Sequence, residues 1–283
     1  MKIGIKDSSY TGRYGYKDGI LRLKRHGYNT VDFQGFVNTD GPLWKLPEKD
    51  FEAGLKETKE FLDEQGIEIF QTHAPWGWPP KNGTADERRA LFENMHKALR
   101  GTKLLGAKYF VVHPLLPFEN EPGQDADAVW GINQGFIGAV ADYARFYGIT
   151  VCLENLPFKN LCISTPMQVL DFVEEMNHQN LKICLDTGHC AVFGLQPSAA
   201  VRLFGAEWLR CMHVHDNDGQ RDSHWLPKRG VIDWEDYRNA LQEIGFQGSF
   251  SLECAVPEEF TGKERDAKEQ ELCRLAAQLV GNE

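Results

Sequence analysis

The chain has 283 residues, 42% of them apolar and 25% charged, which is the make-up of a soluble globular protein large enough to bury a core without disulfides. A formal net charge of −10 argues against a large nucleic-acid footprint, because phosphate contacts need clustered Lys and Arg. No run of about 18 apolar residues exists, so no membrane partner is expected, and the opening MKIGIKDSSY lacks the apolar stretch of a signal peptide.

The first β-type run is KIGIKDS from Lys2, and the second is TVDFQ from Thr30. Phe51, Leu55 and Leu62 then repeat at helical spacing up to Gly66, predicting a helix over 51–65. IEIFQTH follows from Ile67, and Leu91, Met95, Leu99 and Leu104 mark a helix over 87–106. KYFVVHP begins at Lys108, a helix is predicted over 127–148, and ITVCLEN begins at Ile149. Thr165-Pro166 reads as an N-cap with proline at the first helical position, opening a helix to Asn177. LKICLDTGH starts at Leu181 and WLRCMHVHD at Trp208. Asp233 opens another helix through Tyr237, Leu241 and Ile244, and SFSLEC from Ser249 is the eighth run.

Each run is bounded by turn residues and rich in Ile, Val, Phe or Tyr. Eight strand–helix alternations, with strand starts roughly 27 to 41 residues apart, predict parallel strands joined by right-handed crossovers. The fold class is therefore α/β, a single (β/α)8 barrel in one domain over 1–283. A doubly wound open sheet is the competing architecture, but no G-x-G-x-x-G follows the first strand. The seven cysteines include no C-x-x-C pair, and Cys152, Cys184, Cys211 and Cys254 sit in apolar runs. They read as small buried hydrophobes in a reducing, cytoplasmic setting.

The last six runs each end in a metal-ligand residue type: His73, His113, Glu154, Asp186, His213 and Glu253. One such residue is commonly a hydrogen-bonded structural group or a helix cap. Six of them converging on the C-terminal mouth of a barrel would be costly to bury without a cation. The mixed carboxylate–imidazole set suits one divalent ion, Mn2+, Zn2+, Co2+ or Mg2+. His213 and His215 are two apart and share a side of their strand, and the deeper His213 is favoured as the ligand. Arg221, Asp222 and His224 lie on a loop expected over the mouth, where Asp222-x-His224 is either a further metal pair or a polar surface turn.

Together QTHAPW, VVHP, LENLP, CLDTGH, MHVHD, RDSHWLPKRGVIDW and SLEC resemble, in order and over nearly the whole chain, the xylose isomerase-like superfamily of barrels. That superfamily includes D-tagatose 3-epimerase-type enzymes, inosose dehydratases and endonuclease IV. In the epimerase-like members, the resemblance implies one metal on Glu154, Asp186, His213 and Glu253, with the two glutamates doubling as catalytic acid and base. It implies substrate contacts at His189 and Arg221, and His73, His113 and Trp225 join that list. Trp76, Trp78 and Phe118 are further aromatic candidates for stacking on a sugar face, or for packing against loops.

The same resemblance carries an alternative. Endonuclease IV holds three zinc ions at nine positions, and suitable residues stand at all nine here: His73, His113, Glu154, Asp186, His189, His213, Asp222, His224 and Glu253. His189, Asp222 and His224 would hold the additional metals. The LENLP piece and the acidic charge depart from that enzyme. The expected activity is therefore metal-dependent isomerisation or epimerisation of a ketose or polyol-derived ketone, by proton transfer next to the carbonyl through an enediolate. A phosphodiesterase and an inosose dehydratase-type lyase are the alternatives. A non-catalytic sugar-binding barrel fits poorly with so complete a ligand set. The sugar, its phosphorylation and any homo-oligomer stay open, and no Gly-rich phosphate loop is visible.

Overall fold

A computed structural model describes residues 1–281. Eight parallel strands run in the order β7-β6-β5-β4-β3-β2-β1-β8. They are β1 (Lys2–Lys6), β2 (Thr30–Phe33), β3 (Glu68–His73), β4 (Tyr109–Val112), β5 (Thr150–Glu154), β6 (Leu181–Asp186), β7 (Leu209–His213) and β8 (Ser249–Leu252). The ring closes between β7 and β8, where the Val214 amide donates to Ser251 (2.8 Å) and the Glu253 amide to Val214 (2.9 Å). This closure makes the sheet a single (β/α)8 barrel and excludes the doubly wound alternative. The single domain expected over 1–283 reaches two residues past the described ones.

Helices follow the strands on the outside. The predicted ones appear as α3 (Glu48–Gln65), α4 (Ala85–Leu104), α5 (Ala126–Tyr147), α6 (Pro166–Met176) and α9 (Trp234–Glu243). Thr165 caps α6 as expected, with Pro166 in its first turn and Gln168 closing a capping box. The sequence reading left out α1 (Ser8–Tyr14), α2 (Tyr16–His26), α7 (Thr187–Val192), α8 (Pro197–Trp208) and α10 (Gly262–Leu279).

The main apolar core fills the space between helices and strands, as barrels require. A smaller cluster of Phe70, Val111, Cys152, Cys184 and Cys211 fills the barrel interior. Each of those cysteines stands two residues before Glu154, Asp186 or His213 on its strand. Side chains two apart share a face, so a layer of thiols lies directly beneath the polar mouth. Burial pushes the Cys184 and Cys211 thiols well up, so they stay neutral. Near the barrel floor, Thr30 and Ser249 hydrogen-bond at 2.6 Å across Gly4. A Cβ on Gly4 would sit 2.4 Å from the Thr30 hydroxyl, so only glycine lets that bond form.

Among the described residues, no helix is long and apolar enough to cross a membrane.

Candidate metal centre and substrate pocket

Glu154, Asp186 and His213 are the last residues of β5, β6 and β7, and Glu253 follows β8 by one. All four are directed into the mouth, and one ligand atom from each lies within 4.8 Å of the others. His213 is the hub. Its Nδ1 is 2.8 Å from Glu154 Oε1 and 3.4 Å from Glu253 Oε2. Its Nε2 is 2.9 Å from Asp32 Oδ2 on β2. Burial alone would push the His213 imidazole down, but Glu154, Glu253 and Asp32 hold it well above its usual range. Burial would likewise raise Glu154, and His213 with His113 hold it well below the carboxylate range. Glu253 lies at about 2, because His213, Lys6 and His224 outweigh its burial.

Two buried carboxylates, a half-buried third and a buried imidazole meeting at one point suit a borderline or hard divalent cation. The arrangement around His213 supports that fit. A ligating histidine ordinarily turns one nitrogen to the metal and ties the other to a carboxylate, and Asp32 supplies that tie. Asn155 fixes the backbone of the neighbouring Asp186. Its side-chain oxygen accepts from the Asp186 amide (2.8 Å), and its side-chain nitrogen donates to the Asp186 carbonyl (3.1 Å). A metal-filled site would release the protons now shared among these groups.

The remaining predicted residues fall on two sides of this centre. His73 and His113 meet at 3.2 Å between their Nε2 atoms, and His113 Nε2 lies 3.1 Å from Glu154 Oε2. On the other side, Asp222 Oδ2 lies 3.3 Å from His189 Nε2 and 3.3 Å from His224 Nε2. The rings of His73, His189 and His224 are each set by a backbone carbonyl at Nδ1: Ala74 (2.9 Å), Asn155 (2.7 Å) and Glu253 (2.7 Å). Their Nε2 atoms are thereby turned toward the cavity. Burial disfavours the charged form of His189, yet Asp186 and Asp222 bring it to about 10.

His215 does not compete with His213. It sits on the second side, 3.1 Å from Asp186, with its ring stacked on His224 at 4.1 Å. His224 holds a left-handed φ of 46° to make that stack.

His73, His113, Glu154, His189, Asp222, His224 and Glu253 line a cavity of about 150 Å³, together with Trp76, Leu156, Pro157 and Phe158. Trp76 packs its ring edge on His113 at 4.4 Å. Trp78 is exposed and stacks on Phe158 at 5.3 Å, and Phe118 is exposed as well. Arg221 and Trp225 are exposed on the loop after β7, and neither lines the cavity.

Sequence reasoning missed Asp32 and Asn155. Asp32 had a signal: a charged residue inside a four-residue strand that is buried along its whole length.

The comparisons agree with this architecture. The xylose isomerase-like TIM barrel family matches residues 20–276. An uncharacterized protein of Methanocaldococcus jannaschii is 30% identical over 206 residues, covering 70% of this chain and 68% of the relative. A ketose 3-epimerase of Arthrobacter globiformis is 27% identical over 273 residues, covering 91% and 86%. Among solved structures, a D-psicose 3-epimerase crystallised with D-fructose superposes with a TM-score of 0.81 at 18% identity, covering 99% of this chain and 100% of that one. The IolI protein solved with a bound zinc atom gives 0.79 at 19% identity, covering 99% and 98%. At such identities the two structures speak for the fold alone. The family match spans most of the sequence, and the chain belongs to the xylose isomerase-like TIM barrel family.

Proposed function

We propose that this chain is a divalent-metal-dependent isomerase or epimerase acting on a ketose or polyol-derived ketone, with Glu154, Asp186, His213 and Glu253 as metal ligands. The observation that carries the reading is a pair of carboxylates, Glu154 at the end of β5 and Glu253 after β8, that approach the same nitrogen of His213, Nδ1, from different strands. When bound, the cation supplies Lewis acidity that makes a proton next to a carbonyl easier to remove.

The protein's own groups do the rest. Both glutamates are held ionised, so either is ready to accept a proton from carbon. With one glutamate supplied from β5 and the other from β8, one takes the proton from one face of the carbon and the other returns a proton to the opposite face, which inverts the centre. Return to the neighbouring carbon instead exchanges aldose and ketose. His73, His113 and His189 present imidazole nitrogens to substrate hydroxyls, and Trp76 and Phe158 cover an apolar sugar face and exclude water. The family match and the epimerase relative support an enzyme of this class.

The test is a panel of free ketohexoses and inososes with Mn2+ in deuterated water. Deuterium should enter the substrate carbon, and Glu154→Gln and Glu253→Gln should each abolish its entry. Wild-type exchange in either variant removes the acid–base assignment. The nine metal-type residues also converge in the endonuclease IV order, so the metal count matters. About one tightly held divalent ion per chain is expected, whereas three zinc ions with cleavage of abasic DNA would overturn the reading.

A further inference from the structure

Seven strands bring a carboxylate or imidazole to the mouth: Asp32, His73, His113, Glu154, Asp186, His213 and Glu253. The eighth, β1, brings Lys6. Its register partner is Asp32, whose side chain faces inward to His213, so Lys6 faces inward too. The Lys6 side chain is only 24% exposed, and its Nζ lies 3.8 Å from Glu253 Oε1, outside hydrogen-bonding reach. Among the described residues it makes no side-chain hydrogen bond. An ammonium has three donors and is poorly tolerated in partial burial without acceptors. These donors are left for a ligand.

The space beyond Lys6 is a second cavity, of about 530 Å³, between α1 and the segment after β8. Its walls include Lys6, Ser8, Ser9, Arg13, Glu258 and Arg265. Its walls carry three cations and one acid, in a chain whose formal charge is −10. Arg265 is spent on structure, donating to Glu269 (2.9 Å) and to the Val256 carbonyl (2.9 Å). Arg13 pairs with Glu258, which is itself largely exposed. Lys6 and Glu253 therefore stand between a carboxylate-rich metal pocket and a larger cavity walled by basic and hydroxyl side chains.

We propose that the substrate carries an anionic group, a carboxylate or a phosphate, at the end that passes Glu253, and that Lys6, Ser8, Ser9 and Arg13 receive it. This rests on the reading of the metal pocket as a sugar site. A neutral polyol would find its partners among the carboxylates and imidazoles already present. An inward ammonium whose nearest carboxylate lies beyond hydrogen-bonding reach selects for negative charge, and the acidic groups elsewhere around the mouth repel an anion placed in any other orientation.

The experiment measures binding by calorimetry to the Mn2+-loaded full chain. The ligands are inorganic phosphate, a neutral ketose, its terminal phosphate and the matching sugar acid. One of the two charged sugars should bind at least about 10-fold tighter than the ketose, and which one does so identifies the group. Lys6→Met should weaken the charged sugar by about 10- to 100-fold, as expected for a lost hydrogen bond to a charged group. The same variant should leave affinity for the ketose within about twofold by the same arithmetic. Arg13→Met should weaken the charged sugar less, and Lys6→Arg should restore it.

Equal affinity for charged and neutral sugars overturns the proposal. So does a Lys6→Met variant that weakens both alike, since Lys6 then serves only as a counter-charge to Glu253. Phosphate binding that survives Lys6→Met also overturns it, by placing the anion elsewhere. If phosphate binding depends on Lys6 but no sugar exchanges a carbon-bound proton, the isomerase reading falls and the anion site stands.

Discussion

Asp32 holds His213 with one carboxylate oxygen and leaves the other, Oδ1, buried without a partner. An unsatisfied buried oxygen is costly, so the position is retained for what Oδ2 does. It fixes the ring so that Nδ1 faces Glu154 and Glu253. Asp32→Asn keeps the volume and removes the charge. Cation affinity should fall by about 10- to 100-fold, the usual effect of losing an outer carboxylate on a ligating histidine. Calorimetric titration of the variant with Mn2+ or Zn2+ checks this, with circular dichroism confirming an intact fold. Unchanged affinity would leave Asp32 as a packing residue. At this scale the strand-end carboxylates and imidazoles were legible because each follows an apolar run. Lys6 was not, and Asp32 showed only as a charge inside a short strand, because their meaning comes from the register that pairs β1 with β2, and the sequence does not show which side faces inward.

Between strand and helix, the loop after β7 is the element that carries Asp222 and His224, and its anchor is Asp216. The Asp216 carboxylate accepts from the Asn217 amide (3.0 Å) and from the Trp234 indole (2.9 Å). Its backbone pairs with Trp225 in both directions, at 2.9 and 2.8 Å. Gly230 completes the fit, because a Cβ there would lie 2.0 Å from the Asn217 carbonyl. Asp216→Ala strands the indole and the amide, at a cost of about 2 to 4 kcal/mol. The thermal midpoint should drop, and hydrogen exchange across 217–233 should quicken, with the His213 side of the site unchanged. An unaltered exchange pattern would refute the anchoring role.

The same scale explains which helices the sequence displayed. α3 through α6 show apolar periodicity or a proline cap. α10 did not, because its buried face includes Arg265 and Glu269, which pair at 2.9 Å, and charge on a core face hides the helical period. α7 begins after Asp186, the ligand proposed on β6, whose carboxylate caps it by accepting from the His189 amide (2.7 Å). One residue ends a strand, starts a helix and faces the mouth, so the boundary leaves no separate trace in the sequence.

For the whole barrel, cation and proton compete for one set of groups. Without a cation, His213 is protonated because Glu154, Glu253 and Asp32 surround it, and its pKa stands well above the unfolded value. A group raised in this way stabilises the fold below the unfolded pKa of about 6.5 and loses that contribution as pH climbs through the folded value. A cation needs the neutral ring, so its affinity moves the other way and rises with pH. Heating runs with excess Mn2+ and with a chelator at pH 6, 7 and 8 should therefore diverge. The chelated protein loses stability toward pH 8, while the cation-bound form gains from tighter binding. Cation at about 100 times its dissociation constant adds roughly 2.7 kcal/mol, and each tenfold gain in affinity adds about 1.4 more. A gap between the two midpoints that is constant or narrows with pH would mean that His213 does not give up its proton to the cation, and Asp186 with the two glutamates would then be the ligands that remain.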